Sequence, residues 1–106
     1  MDIGGYPELW FQCGYKGKIV ILNLDNPESY PAIRLNYRYV KGDGCCLDFP
    51  DKSFDIIFSN SVIEHVGKWE NQNAFASEAS RVGERYWIQT PNKNFPVDPH
   101  FNFPLF

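Results

Sequence analysis

With 106 residues, 43% of them hydrophobic, the chain has room for one domain and no more. A formal net charge of −3 and the absence of any basic run argue against a nucleic-acid backbone as partner. No apolar stretch approaches the roughly 20 residues of a membrane span, and the first residues lack the charged and apolar regions of a signal peptide.

The chain begins with Asp2-Ile3-Gly4-Gly5-Tyr6-Pro7-Glu8, which reads as a strand end, a glycine turn and a helix start with Pro7 at the first helical position. Leu9, Trp10, Phe11 and Tyr15 are expected to form the apolar face of that helix, ended by Gly14 or Gly17. Residues 18–24 are the clearest strand in the sequence, nearly all apolar, with Asp25 just past its end. Pro27 and Pro31 argue against a long helix over 26–36, where a turn or short helix is expected. Residues 37–41 fit a shorter strand nearer a sheet edge.

Asp55-Ile56-Ile57-Phe58 is a short apolar run between the turn residues Pro50-Asp51-Lys52-Ser53 and the polar break Ser59-Asn60-Ser61. A run bounded in this way predicts a strand buried on both faces of a parallel sheet. Trp69, Phe75, Ala76, Ala79 and Val82 follow at helical spacing, and Gly83 suits a stop. Residues 85–90 form a fifth strand, halted by Pro91. From 92 to 106, prolines and aromatics (Phe95, Phe101, Phe103, Phe106) alternate in a loop that needs a partner to pack on. Cys13, Cys45 and Cys46 contain no C-x-x-C pair, so reduced thiols in the cytoplasm are the expectation.

Strands alternating with connections make a parallel, right-handed wound sheet the economical α/β topology. Gly4-Gly5, Asp25, Asp43-Gly44 and Ser59-Asn60-Ser61 then fall at the carboxyl ends of successive strands and share one edge, where ligands of open α/β sheets bind. Glycine after the first strand lets a ligand approach the backbone closely. Asp25 lies close to the roughly 20 residues beyond that turn expected of a carboxylate that accepts both ribose hydroxyls. The alternatives are a solvated turn for Asp25, ordinary Asp-Gly turn chemistry for Asp43, and an N-terminal charge without a role for Asp2.

Residues 54–66, FDIIFSNSVIEHV, resemble the fourth-strand motif of class I S-adenosylmethionine (SAM)-dependent methyltransferases. Gly42-Asp43-Gly44 with Leu47-Asp48-Phe49-Pro50 resembles that family's adenine-contacting G-D-A-x-x-L-P-F, and Glu78-Ala79-Ser80-Arg81-Val82 its E-h-x-R-V helix (h, apolar). The resemblance implies a Rossmann-like parallel sheet of about five strands with flanking helices and SAM as cofactor. Such a fold needs roughly twice this length, within the usual domain range, so a single partial domain over 1–106, incomplete at both ends, is expected.

The resemblance also places Asp2 near the methionine end of the cofactor, Asp43 at the adenine amine with the following backbone N–H groups on the ring, and the backbone at Ser59-Asn60 at the amino-acid end. Tyr6 and Glu8 stand where the family has glycines. His65 and His100 are the candidate general bases for a small-molecule acceptor hydroxyl, and Phe95, Phe101 and Phe103 are candidate pocket walls. Where some relatives bind a divalent metal through E-x-x-E-H, the first acid here is Ser61, which leaves Glu64 and His65, and no metal is expected. The alternative function is a SAM- or nucleoside-binding remnant without turnover. An NAD(P)-dependent oxidoreductase suits Asp25 but neither the G-D-G turn nor the E-H-V segment. An open sheet edge invites pairing with a second copy.

Overall fold

A computed structural model of the chain describes residues 1–25 and 36–92. The turn or short helix expected before Asn36, the aromatic tail and His100 lie outside the described residues.

Five strands form one all-parallel sheet: β1 (Asp2–Ile3), β2 (Ile19–Asn23), β3 (Tyr37–Lys41), β4 (Phe54–Asn60) and β5 (Gly83–Gln89), in the order β3-β2-β1-β4-β5. Helix α1 (Pro7–Gln12) follows β1, and α2 (Trp69–Val82) joins β4 to β5. This is the Rossmann-like arrangement expected, with strand order reversing between β1 and β4. No described helix is long and apolar enough to cross a membrane.

β1 has only two residues yet sits at the centre, Asp2 pairing with both Ile21 and Phe58. The ladder reaches one residue further each way. Phe58 N donates to Met1 O (2.9 Å) and the Met1 amino group to Ile56 O (2.7 Å), while Gly4 N donates to Leu22 O (2.7 Å). Towards their amino ends β2 and β4 outrun β1, and a cavity of about 540 Å³ opens there, lined in part by Ile19, Val20, Phe54 and Ile56.

Side-chain alternation divides the core in two. Ile3, Leu22 and Ile57 meet Phe75, Ala79 and Val82 of α2, with Leu47 from the β3–β4 loop. A smaller cluster on Ile19, Ile21 and Tyr37 has Trp10 and Tyr39 packed against it. Gly83 does end α2, but by passing straight into β5 in extended conformation (φ −102°, ψ 143°) rather than through a left-handed cap. A Cβ there would come within 2.6 Å of Ile57 Cγ1, so the close approach of helix end to sheet requires glycine.

Two expectations are corrected. α1 starts at Pro7 as expected and Gly14 (φ +68°) follows its end, but Leu9, Phe11 and Tyr15 are exposed and only Pro7 is buried. A helix of six residues is too short to lay an apolar stripe along a sheet. For the same reason β4 is buried on one face only. Ile57 is fully buried under α2, whereas its neighbour Ile56 is 55% exposed.

Candidate functional site

The carboxyl edge of the sheet carries four corners, each following from how its strand stops. At the first, Gly4 adopts φ +77°, where a Cβ would run into Val62, and a Cβ on Gly5 would strike the Asp2 carboxylate. Asn23 Nδ2 donates to Gly5 O (2.7 Å), tying this corner to β2. Tyr6 and Glu8, where the motif would have glycine, are exposed.

Asp2 is buried beneath this corner. Trp10 Nε1 donates to its Oδ2 (2.7 Å), while Oδ1 is buried without a hydrogen bond among the described residues. Burial pushes the Asp2 pKa up to about 6, against the opposing pull of the Trp10 hydrogen bond and the terminal amine.

The second and third corners are neighbours. Asn23 and Lys41 are paired, Gly42 N donates to Asn23 O (2.8 Å), and Asp25 and Asp43 each stand two residues beyond a member of that pair. Both carboxylates are exposed. Asp43 Oδ1 accepts from Cys45 N (2.8 Å) and Asp43 O from Cys46 N (3.0 Å). These two amides, expected on an adenine ring, are therefore engaged within their own turn. Gly44 is pressed against the core, where a Cβ would lie 2.6 Å from Phe75 Cε2 and 2.9 Å from Ile3 Cγ2.

At the fourth corner Ser59 points inward. Its buried hydroxyl donates to Ile3 O (2.9 Å) and braces β1. Asn60 is exposed, and Ser61 turns the chain in the left-handed region (φ 59°), donating from N to Gln89 O (2.8 Å) and from Oγ to Asn60 Oδ1 (3.3 Å). Backbone strain of this kind gathers at ligand-facing turns.

His65 closes a 3-10 turn, Ile63–His65, with its side chain half exposed and Nε2 3.9 Å from Glu64 Oε1. Glu64 Oε2 accepts from Thr90 Oγ1 (3.1 Å), which links the ends of β4 and β5. Among the described residues no cluster of three His, Cys, Asp or Glu side chains stands ready for a metal ion.

Gly4, Gly5, Asp25, Asp43 and Ser61 thus share one edge, with Asp2 and Ser59 just inside it. Trp10 and Thr90 were missed by sequence reasoning. Trp10 reads there as one more apolar helix position, and the signal for Thr90 is only its place after the last strand. The cavity beside β1 opens towards the amino ends of β2 and β4, and Asp2 and Trp10 form part of its lining.

Comparison with known proteins adds the family. The profile of the methyltransferase domain matches residues 13–85, more than half of the chain, though not the glycine corner. Two proteins of Mycobacterium tuberculosis, named Uncharacterized protein Rv1509 (strain H37Rv) and Uncharacterized protein MT1557 (strain CDC 1551), are each 39% identical over 56 residues. That stretch is 53% of this chain and 19% of theirs, so the chain aligns with about a fifth of the length of these curated relatives. No solved structure matches the chain. The β3-β2-β1-β4-β5 parallel sheet and the profile match agree: the chain belongs to the class I SAM-dependent methyltransferase domain family.

Proposed function

We propose that the carboxyl edge of the sheet binds SAM and that the chain is a single partial domain of an enzyme methylating O, N or C of a small-molecule acceptor. The observation that carries this proposal is the meeting of Gly4-Gly5, Asp25, Asp43 and Ser61 along one edge beside the β1–β4 reversal. The buried Asp2 Oδ1 under the glycine corner, without a hydrogen bond among the described residues, is the kind of acceptor a cationic amino-acid end would satisfy.

In this arrangement Asp25 accepts both ribose hydroxyls, and the Asp43 oxygen not taken by Cys45 accepts the adenine amine. Gly4 and Gly5 let the nucleoside lie against the backbone, with Tyr6 next to it. The Ser59-Asn60-Ser61 corner and Asp2 hold the amino-acid end. SAM supplies an electrophilic methyl group on a sulfonium. The protein's share is alignment and exclusion of water, without a covalent intermediate. For a hydroxyl acceptor, His65 and His100 are the candidate bases, with Glu64 and Thr90 steadying His65.

A second possibility, binding without turnover, is favoured by one contact. Trp10 already occupies one oxygen of Asp2, and bulky Tyr6 and Glu8 replace glycines. Three free cysteines fit a cytoplasmic setting, and β3 and β5, the outer strands among the described residues, are where a second copy would pair.

Binding tests both. Titrating the full chain with S-adenosylhomocysteine should change tryptophan fluorescence saturably, with no response to NAD and loss of signal in a folded Asp25→Ala variant. A well-folded sample that binds neither SAM nor S-adenosylhomocysteine would sink both possibilities. Release of S-adenosylhomocysteine from SAM, dependent on an added alcohol or amine, separates enzyme from remnant.

A further inference from the structure

No helix fills the connection between β3 and β4. Residues 43–52 instead run as a strap along α2. Cys45 Sγ meets Asn71 O (3.3 Å), Gly44 abuts Phe75, and Leu47 N donates to Glu78 Oε2 (2.7 Å). At the far end Lys52 N donates to Arg81 O (2.9 Å), and Lys52 Nζ donates to Ser80 O and Gly83 O (both 2.9 Å).

Arg81 is the centre of this contact. Its Nε and one Nη2 hydrogen clamp the two oxygens of Glu78 (2.7 and 2.9 Å). The other hydrogens reach Leu47 O (2.9 Å), Phe49 O (2.8 Å) and Asp51 Oδ1 (2.9 Å). All five guanidinium N–H groups are used, a pattern that a lysine ammonium, with three donors, cannot reproduce.

We propose that Glu78 and Arg81 are positioning residues for the Asp43–Cys46 turn, holding the strap so that Asp43 stands beside Asp25. This rests on the nucleoside site proposed above. The clamp lies on the strap side of α2, whereas Phe75, Ala79 and Val82 hold the helix to the sheet. Removing the clamp therefore displaces the turn without removing the helix's apolar anchors.

The test compares Arg81→Lys and Glu78→Gln with Val82→Ala, a core truncation that lowers the melting temperature while leaving every hydrogen-bonding group of the clamp in place. Two quantities are read in the full chain: the dissociation constant for S-adenosylhomocysteine and the rate at which a maleimide labels Cys45. The labelling is done with Cys13 and Cys46 changed to Ser. Both clamp variants should weaken binding about tenfold and speed labelling by a similar factor, while Val82→Ala changes neither well below its melting temperature. Wild-type values for both readouts in the clamp variants overturn the proposal, as does an equal response to Val82→Ala. If the unmodified chain binds no nucleoside, the site assignment fails by itself. The labelling rate then still decides whether the clamp sets the turn.

Discussion

Across one strand, β4, the two faces of the sheet live in different solvents. Towards α2, Ile57 is 0% exposed and meets Phe75, Ala79 and Val82 in a dry layer; towards α1, Ile56 is 55% exposed. The strand is in fact more apolar on its α1 side, with Ile56 and Phe58, than on its α2 side, with Ile57 and Ser59. What decides is the covering helix, fourteen residues against six. Burial here is a property of the partner as much as of the strand, and the α2 face should carry most of the stability.

The sharpest way to break that asymmetry is Phe75→Ala. Phe75 is among the largest fully buried side chains, and its ring also seats Gly44. Truncating a buried Phe costs about 3–5 kcal/mol, a large part of the 5–15 kcal/mol typical of a domain. Urea unfolding should show the midpoint collapsing. A loss under about 1 kcal/mol would mean that the α2 face is not the main core.

The α1 side has a polar interior, and pH reads it. The Asp2 carboxyl has its pKa raised from 3.8 to about 6, chiefly by burial. A raised acid favours the folded state where it is protonated. Its contribution is therefore complete below about pH 4, is lost as pH rises towards 6, and leaves a constant cost of about 3 kcal/mol above that. Asp2→Asn keeps an acceptor for Trp10 and removes the charge. The variant should match wild type near pH 4 and exceed its stability by up to about 3 kcal/mol at pH 7. Taking the difference cancels groups of opposite slope such as Glu78, whose pKa Arg81 holds down. A difference that stays flat between pH 4 and 7 would show that the native carboxyl is not desolvated.

Gly44→Ala probes the junction between the dry face and the site. The added methyl would lie 2.6 Å from the Phe75 ring and 2.9 Å from Ile3 Cγ2, neither of which is a loose surface group. Overpacking of this kind costs about 1–3 kcal/mol. Thermal melts measure the loss, and a cost near zero would mean that the turn sits farther from α2 than it does in this structure.

Much of this was legible in the sequence where the physics is local. The run at 18–24 and the spacing of Phe75, Ala79 and Val82 gave strand and helix, and glycine, aspartate and serine marked the strand ends that became the corners. The inward turn of the Ser59 hydroxyl onto Ile3 O follows from the side-chain parity it shares with Ile57, and leaves only the backbone of that corner for a ligand. Two-faced burial of β4 was wrongly expected because an apolar run does not reveal the length of its covering helix. The Asp2–Trp10 hydrogen bond and the five-fold grip of Arg81 were beyond reach, since each joins residues brought together only by the finished sheet and strap.

The smallest effect is the most informative about the open face. Ile56→Thr keeps a β-branched residue, so strand preference is little changed, and half-exposed Ile56 has little burial to lose. Its cost should stay within about 0.5 kcal/mol, as for surface positions generally. At the next residue, Ile57→Val removes a single methylene yet should cost about 0.5–1.5 kcal/mol. The order matters more than the sizes, because polarity changes at 56 and only volume at 57. If Ile56→Thr proves the costlier, the α1 face is covered in solution. Repeating the melts over a hundredfold range of protein concentration then identifies the cover: a cost that grows with concentration belongs to a second copy of the chain, and a constant one to the chain itself.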